Sequence, residues 1–173
     1  IQRHLLGHMR SPQLVGLDSM NYWINHKRKS LLRLLKKVNI YVANEQEARS
    51  LSGENNLLKA AQNLRTLGPE MILIKKGEHG VLFFSDKFIF SIPAYPTDKV
   101  IDPTGAGDTF AGGFMGYLTK VKNINEASLK KAIAYGTIAA SFNVEDFGLN
   151  KTAKLTLRNL EERLNRFKRI VSF

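Results

Sequence analysis

This sequence predicts an α/β fold: a mostly parallel sheet flanked by helices and finished by antiparallel hairpin strands. Two observations carry that expectation. Short runs rich in β-branched and aromatic residues, Ile40-Tyr41-Val42-Ala43, Met71-Ile72-Leu73-Ile74 and Val81-Leu82-Phe83-Phe84, alternate with longer stretches of helical periodicity. The runs are apolar at every position, as in strands buried on both faces. With 173 residues, 43% of them hydrophobic and 24% charged, the chain is long enough for one domain with a core and too apolar to be disordered.

The elements follow in order. Leu14-Val15-Gly16-Leu17 is a short apolar run closing at Asp18, and Ile24 to Lys37 reads as one basic amphipathic helix with Leu31, Leu34, Leu35 and Val38 at helical spacing. The strand Ile40–Ala43 ends at Asn44. A short helix from Glu45 to Leu51 is broken by Ser52-Gly53-Glu54-Asn55, and a helix from Leu57 to Leu67 is closed by Gly68-Pro69. Met71–Ile74 is a strand. The turn Gly77-Glu78-His79-Gly80 feeds Val81–Phe84, and Ser85-Asp86 turns the chain into Phe88–Phe90. A glycine-rich segment then opens a helix from about Gly107 to Leu118. The next helix, Ala127 to Asn143, is rich in small residues (Ala132, Ala134, Gly136, Ala139, Ala140), a face expected to pack on Gly112, Gly113 and Gly116. An amphipathic helix from Lys154 to Val171 ends the chain. Ligands of such sheets sit at the carboxyl ends of the strands, and Asp18, Asn44 and the Gly77–Gly80 turn all follow strand ends.

Composition narrows the function. The net charge is +11, from 26 basic and 15 acidic residues, with clusters at Lys27-Arg28-Lys29, Lys36-Lys37, Lys130-Lys131 and Arg158 to Arg169. These lie on polar faces of expected helices, and no aromatic residues interleave with them as in single-strand binders, so no nucleic-acid partner is expected. The absence of cysteine excludes a disulfide or a thiolate metal site. No apolar stretch is long enough to span a bilayer and no signal peptide is visible, so no membrane partner and a cytoplasmic location are expected. The chain opens at Ile1 rather than Met, which suggests a processed product or a fragment.

The chemistry concentrates in Asp102-Pro103-Thr104-Gly105-Ala106-Gly107-Asp108-Thr109-Phe110. Gly105, Ala106 and Gly107 let backbone N–H groups converge into a nest, and the helix behind adds the positive end of its dipole. A phosphate, or charge developing in phosphoryl transfer, would be held there. Asp108 falls in the first helical turn, where the dipole favours its carboxylate and where it can accept the proton of an attacking hydroxyl. The Walker pattern needs a Gly-Lys-Ser/Thr ending that is missing, and the dinucleotide pattern needs glycine where Phe110 stands. A tight turn with Asp108 as a helix cap is the plain structural alternative.

The segment from Asp102 to Gly113, with Asn44-Glu45-Gln46-Glu47 and Lys75-Lys76-Gly77-Glu78-His79-Gly80 upstream in that order, closely resembles the ribokinase-like (PfkB) family of carbohydrate and nucleoside kinases. The likeness covers the chain from about Leu14. It implies an ATP-dependent kinase acting on an alcohol of a sugar or nucleoside. Asp108 would be the base and the amides from Gly105 through Ala106 and Gly107 to Asp108 the anion hole. Asn44 and Glu47 would organise Mg2+ and the ATP phosphates, with Glu47 acting on the metal indirectly. Lys75, Gly77 and Gly80 would lie along the nucleotide. Asp102 and Thr104 would lend oxygens to a monovalent-cation site, with K+ the candidate. Residues 143–148 match the region that closes the adenine pocket and the cation site, with Gly136 facing it. Pro103 stands where the family often has threonine.

The resemblance also implies that residues 1–173 form the C-terminal, nucleotide-binding and catalytic portion of such a kinase domain, without the N-terminal substrate and lid portion. A homodimer is then a property of the full-length protein. A non-catalytic nucleotide-binding remnant is the alternative function. From spacing alone, Asn44 and Glu47 read as a helix capping box, and the two roles can coexist. Asp18 and Asn21 read as a turn and cap for a helix from Tyr22, or as neighbours of acceptor or phosphate. Tyr22 and Trp23 read as core or edge packing. His79 is near a nucleobase or in solvent, and His4, His8 and His26 lack metal-ligand spacing.

Overall fold

A computed structural model of the chain describes residues 2–8 and 10–172; Ile1 lies outside them. The elements run α1 (Gln2–His8), β1 (Gly16–Asp18), α2 (Asn21–His26), α3 (Arg28–Leu35), β2 (Ile40–Asn44), α4 (Glu45–Ser52), α5 (Leu57–Thr66), β3 (Met71–Lys75), β4 (Val81–Ser85), β5 (Ile89–Ile92), α6 (Ala106–Leu118), α7 (Glu126–Asn143) and α8 (Leu157–Val171). The strands form one mixed sheet in the order β1-β2-β3-β4-β5, with β1–β2 and β2–β3 parallel. By contacts the chain divides into two compact units, residues 1–76 with 82–90, and residues 77–81 with 91–173.

In the first unit, strand alternation sorts the side chains. Leu17, Tyr41, Ala43, Ile72, Ile74, Leu82 and Phe84 point to one face, where Ile24, Leu31, Leu34 and Leu35 of α2 and α3 and Ala48, Leu51, Ala61 and Leu64 of α4 and α5 cover them. Burying one such leucine contributes about 1.5–3 kcal/mol, and truncating fully buried Leu35 to alanine should cost about 2–5 kcal/mol. Ile40, Val42 and Leu73 are also buried and alternate onto the other face. That face carries Asp18, Asn44 and Lys75 at the carboxyl ends of β1, β2 and β3, and Asn44 and Lys75 are register partners. The sheet thus sets Asn44 beside Lys75, with Asp18 on the same face opposite Val42.

The structure corrects the single helix expected over Ile24–Lys37. It is two helices, broken at Lys27 (φ −131°, ψ 27°). The break has a tertiary cause: the Arg28 guanidinium donates to the carbonyls of Leu51 (2.7 Å) and Ser50 (3.5 Å) at the end of α4. Tyr22 and Trp23 are not core residues. They are 51% and 41% exposed, and the Tyr22 ring stacks on His26. Helix α1 was not expected from the sequence.

In the second unit, α6 and α7 pack closely through small residues, but not through all three glycines expected. A Cβ on Gly113 would lie 2.9 Å from the Ala139 Cβ and 3.1 Å from the Gly136 Cα, whereas Gly112 and Gly116 have open space. Phe110, Phe114 and Leu118 form the buried side of α6. Helices α7 and α8 each begin with a capping box, Asn125 with Ser128 and Thr156 with Asn159. Leu164 and Phe167 are the buried residues of α8. No helix among the described residues is long and apolar enough to cross a membrane.

Candidate active site

At the sheet edge of the first unit, Asn44 caps α4. Its Oδ1 accepts from the Glu47 amide (2.9 Å), and Glu47 Oε2 accepts from the Asn44 amide (2.9 Å). The expected capping box is therefore formed. Glu47 is only 5% exposed. Burial pushes its carboxyl above the ordinary range, and Asp18 adds to the rise; the Asn44 hydrogen bonds and the Lys75 charge oppose it. Lys75 Nζ donates to Asp18 Oδ2 at 2.6 Å, although their strands are separated by β2. Asp18 is thus not a helix cap: α2 begins after Met20 with no side-chain cap. Beneath the cluster, the hydroxyls of Tyr41 and Ser19 share a 2.7 Å hydrogen bond, and burial drives the Tyr41 phenol far above its usual range.

The glycine segment of the second unit is built differently. The Asp102 carboxylate accepts from the Thr104 amide (2.9 Å), closing a turn and holding its own pKa below the usual value. Pro103 O accepts from Ala106 N–H (3.1 Å), and Gly105 O from Thr109 N–H (2.9 Å). Gly105, at φ 80° and ψ −1°, is the left-handed residue that turns the chain into α6, a conformation that strongly favours glycine. It offers no side-chain cap. Among the described residues, the amides of Gly107 and Asp108 have no acceptor, and the exposed Asp108 carboxylate has no hydrogen-bond or ion-pair partner. Two donors at the positive end of a 13-residue helix stand beside an unpaired carboxylate.

Behind this segment lies the end of α7. Val144 O accepts from the amides of Ile101 (2.7 Å) and Asp102 (3.3 Å). Asn143, 1% exposed, donates through Nδ2 to Gly148 O at 3.0 Å, while its Oδ1 is buried without a partner. A Cβ on Gly105 would come within 3.8 Å of that oxygen. Glu145 anchors the same stretch. It accepts from Arg163 (2.8 Å to Oε1), Lys151 and Thr97, and the Arg163 guanidinium stacks 3.4 Å above the Phe142 ring.

The remaining expected residues fall as follows. Gly77 and Gly80 bracket a 3-10 turn. Gly80 (φ 87°) has no room for a side chain, since a Cβ would lie 2.1 Å from Ile92 O. His79 is exposed beside Glu78. Gly136 does not face residues 143–148 as expected. Its missing Cβ points at Phe110, 2.7 Å from the carbonyl oxygen, so it serves the α6–α7 contact. Thr104 is exposed, with its amide engaged by Asp102. Sequence reasoning singled out residues 143–148 for their backbone rather than for the Asn143 side chain, and did not pair Asp18 with Lys75. An acidic residue at one strand end and a lysine at another was the available signal.

Residues 15–155 match the pfkB family of carbohydrate kinases. The chain is 37% identical over 103 residues to the cytidine kinase of Thermococcus kodakarensis, covering 58% of this chain and 37% of that protein. It is 35% identical over 133 residues to the ribokinase of Haemophilus influenzae, covering 74% and 42%. Among solved structures, aminoimidazole riboside kinase from Salmonella enterica, complexed with aminoimidazole riboside and an ATP analogue, superposes with a TM-score of 0.77 at 27% identity. That match covers 87% of this chain and 52% of the other. The chain thus spans about half the length, or less, of these relatives. The matched span and the ribokinase-like α/β fold place this chain in the pfkB family of carbohydrate kinases.

Proposed function

We propose that the chain carries the nucleotide-binding and phosphoryl-transfer part of an ATP-dependent kinase whose acceptor is an alcohol group of a sugar or nucleoside. The observation that carries this reading is the open start of α6: unpartnered amides at Gly107 and Asp108 next to an unpaired, exposed Asp108 carboxylate. Relatives named for ribose, cytidine and adenosine support the acceptor class. In this reading Asp108 takes the proton of the acceptor hydroxyl. The hydroxyl oxygen forms a bond to the γ-phosphorus, the bond from that phosphorus to the β–γ bridging oxygen breaks, and ADP leaves. The Gly107 and Asp108 amides, with that of Gly105 beside them, donate to the charge that builds on the transferring group, whereas the Ala106 amide, expected in the same anion hole, donates to Pro103 O and shapes the turn. Each such donor is worth about 10²–10³ in rate.

The residues fit Mg2+ held indirectly. Among the described residues no three acidic or histidine side chains group as a metal site. Glu47 would act through water while Asn44 fixes its carboxylate, and Lys75, Gly77 and Gly80 would lie along the nucleotide. When bound, Mg2+ neutralises phosphate charge. K+ belongs to the reading as a candidate near Asp102 and Thr104, and the orphan Asn143 oxygen lies beside Gly105, the next residue along.

Asp108→Ala, in the full-length protein that contains this chain, should lower kcat by about 10²–10⁴ and leave ADP affinity nearly intact. Turnover near the wild-type rate would remove Asp108 as the base. Wild-type protein that binds ADP yet phosphorylates no sugar or nucleoside would favour the non-catalytic alternative.

A further inference from the structure

The ion pair between Lys75 and Asp18 is the least local contact at the sheet edge. The two residues are 57 positions apart in sequence and lie on strands that do not touch. Neighbouring strands are about 4.8 Å apart, so the lysine side chain must reach across about 10 Å over the end of β2. It does so because strand register puts Asp18, Asn44 and Lys75 on the same face. The pair is shielded, with side chains 18% and 31% exposed. Its path passes Asn44, the residue whose side chain and amide lock Glu47. A free lysine would not stay there. Its four-carbon stem carries about 2 kcal/mol of rotamer entropy and its strongly hydrated ammonium favours solvent. Asp18 is the group that fixes this cation at the strand ends.

We propose that Asp18 is a positioning residue of the nucleotide site: its carboxylate holds the Lys75 ammonium across the end of β2, where the cation meets the polyphosphate. The pair has a charge logic. A lysine fully neutralised in a dry site would have nothing left for a ligand, whereas an ammonium has three donors and Asp18 takes one. Two N–H donors remain for a ligand on a cation that Asp18 fixes in place. The carboxylate does not touch the reacting atoms and is not a catalytic residue.

This inference rests on the kinase reading above, so its test must fail separately from that reading. In the full-length protein, KM for MgATP and KM for the acceptor are measured for wild type, Asp18→Asn, Lys75→Met, the double variant and Asp18→Glu, with thermal melts to confirm folding. Loss of one charge-assisted hydrogen bond predicts that Asp18→Asn and Lys75→Met each raise KM for MgATP about tenfold, with the acceptor KM within about twofold. Because the two act as one unit, the double variant should be no worse than the worse single variant. Asp18→Glu should recover most of the loss. Multiplying effects in the double variant, an unchanged KM for MgATP in Asp18→Asn, or a change confined to the acceptor KM would each overturn the assignment. Should Asp18→Asn not fold, an unchanged MgATP KM in Lys75→Met overturns it alone. If the wild type turns over no acceptor, the kinase reading fails instead, and calorimetric titration of the same variants with MgADP reads the same tenfold contrast.

Discussion

The starts of α4 and α6 are built in opposite ways. Helix α4 is closed by its own side chains, with Asn44 and Glu47 satisfying each other's amides and Lys75 tied to Asp18 alongside. Helix α6 begins at a glycine with no side chain to cap it, and leaves the Gly107 and Asp108 amides without acceptors. A capping box stabilises a protein by about 1 kcal/mol. Omitting one forgoes that stability and keeps donors free for an anion. The contrast separates a helix start that fastens the fold from one that leaves its donors open.

Filling the open start should break the contrast most sharply. Gly105→Asp puts an anion into the nest, and a Cβ there meets nothing nearer than 3.7 Å, so the backbone need not move for lack of space. Left-handed strain of about 1–2 kcal/mol is partly offset by a carboxylate at the helix start, worth about 0.3–1 kcal/mol. Net stability should therefore change by about 1 kcal/mol. Nucleotide affinity should fall about 100-fold, because like charges are forced together. Calorimetric titration of the full-length protein with ADP, beside a thermal melt, checks both; unimpaired ADP binding would mean that phosphate does not sit at this helix.

Opening the closed start should act first on stability. Asn44→Ala removes the cap and leaves Glu47 without its amide lock, for a loss of about 1–2 kcal/mol by denaturant unfolding. If stability is unchanged, the capping box does not fasten α4.

How much of this could be read beforehand depended on how local each feature is. β2 and β3 were legible because contiguous apolar runs need no partner to be recognised. The uncapped helix start was legible because Gly105, Gly107 and Asp108 lie within one turn, although the Ala106 amide expected in the nest is taken by Pro103 O. The pair of Asp18 and Lys75 was not, since it exists only once two strands share a register with a third between them. The break at Lys27 was hidden for the same reason. No glycine or proline marks it, and its cause is the reach of Arg28 to the end of α4. The direction of Gly136 depended on helix phase, which a face made of many small residues leaves undetermined; only the close approach to Phe110 reveals it.

The gentlest test concerns the support behind the open start. Glu145 is 6% exposed, and burial alone would raise its pKa; hydrogen bonds from Arg163 and Lys151 and their charges outweigh burial and hold it below the ordinary value of 4.5. The unfolded chain therefore binds this proton more readily than the folded one. The stability from this group is present in full above pH 4.5 and drains away as pH falls through the lowered folded value. Denaturant unfolding from pH 7 downward should show that decline, and Glu145→Gln should flatten its share of it. Nearly parallel curves for the two proteins would mean that Arg163 and Lys151 do not favour the charged carboxylate. Because Val144 O accepts the Ile101 and Asp102 amides next to Glu145, a flattened curve with weaker ADP binding at pH 7 would tie this support to the nest. Unchanged ADP binding would confine it to holding α7 and α8 together.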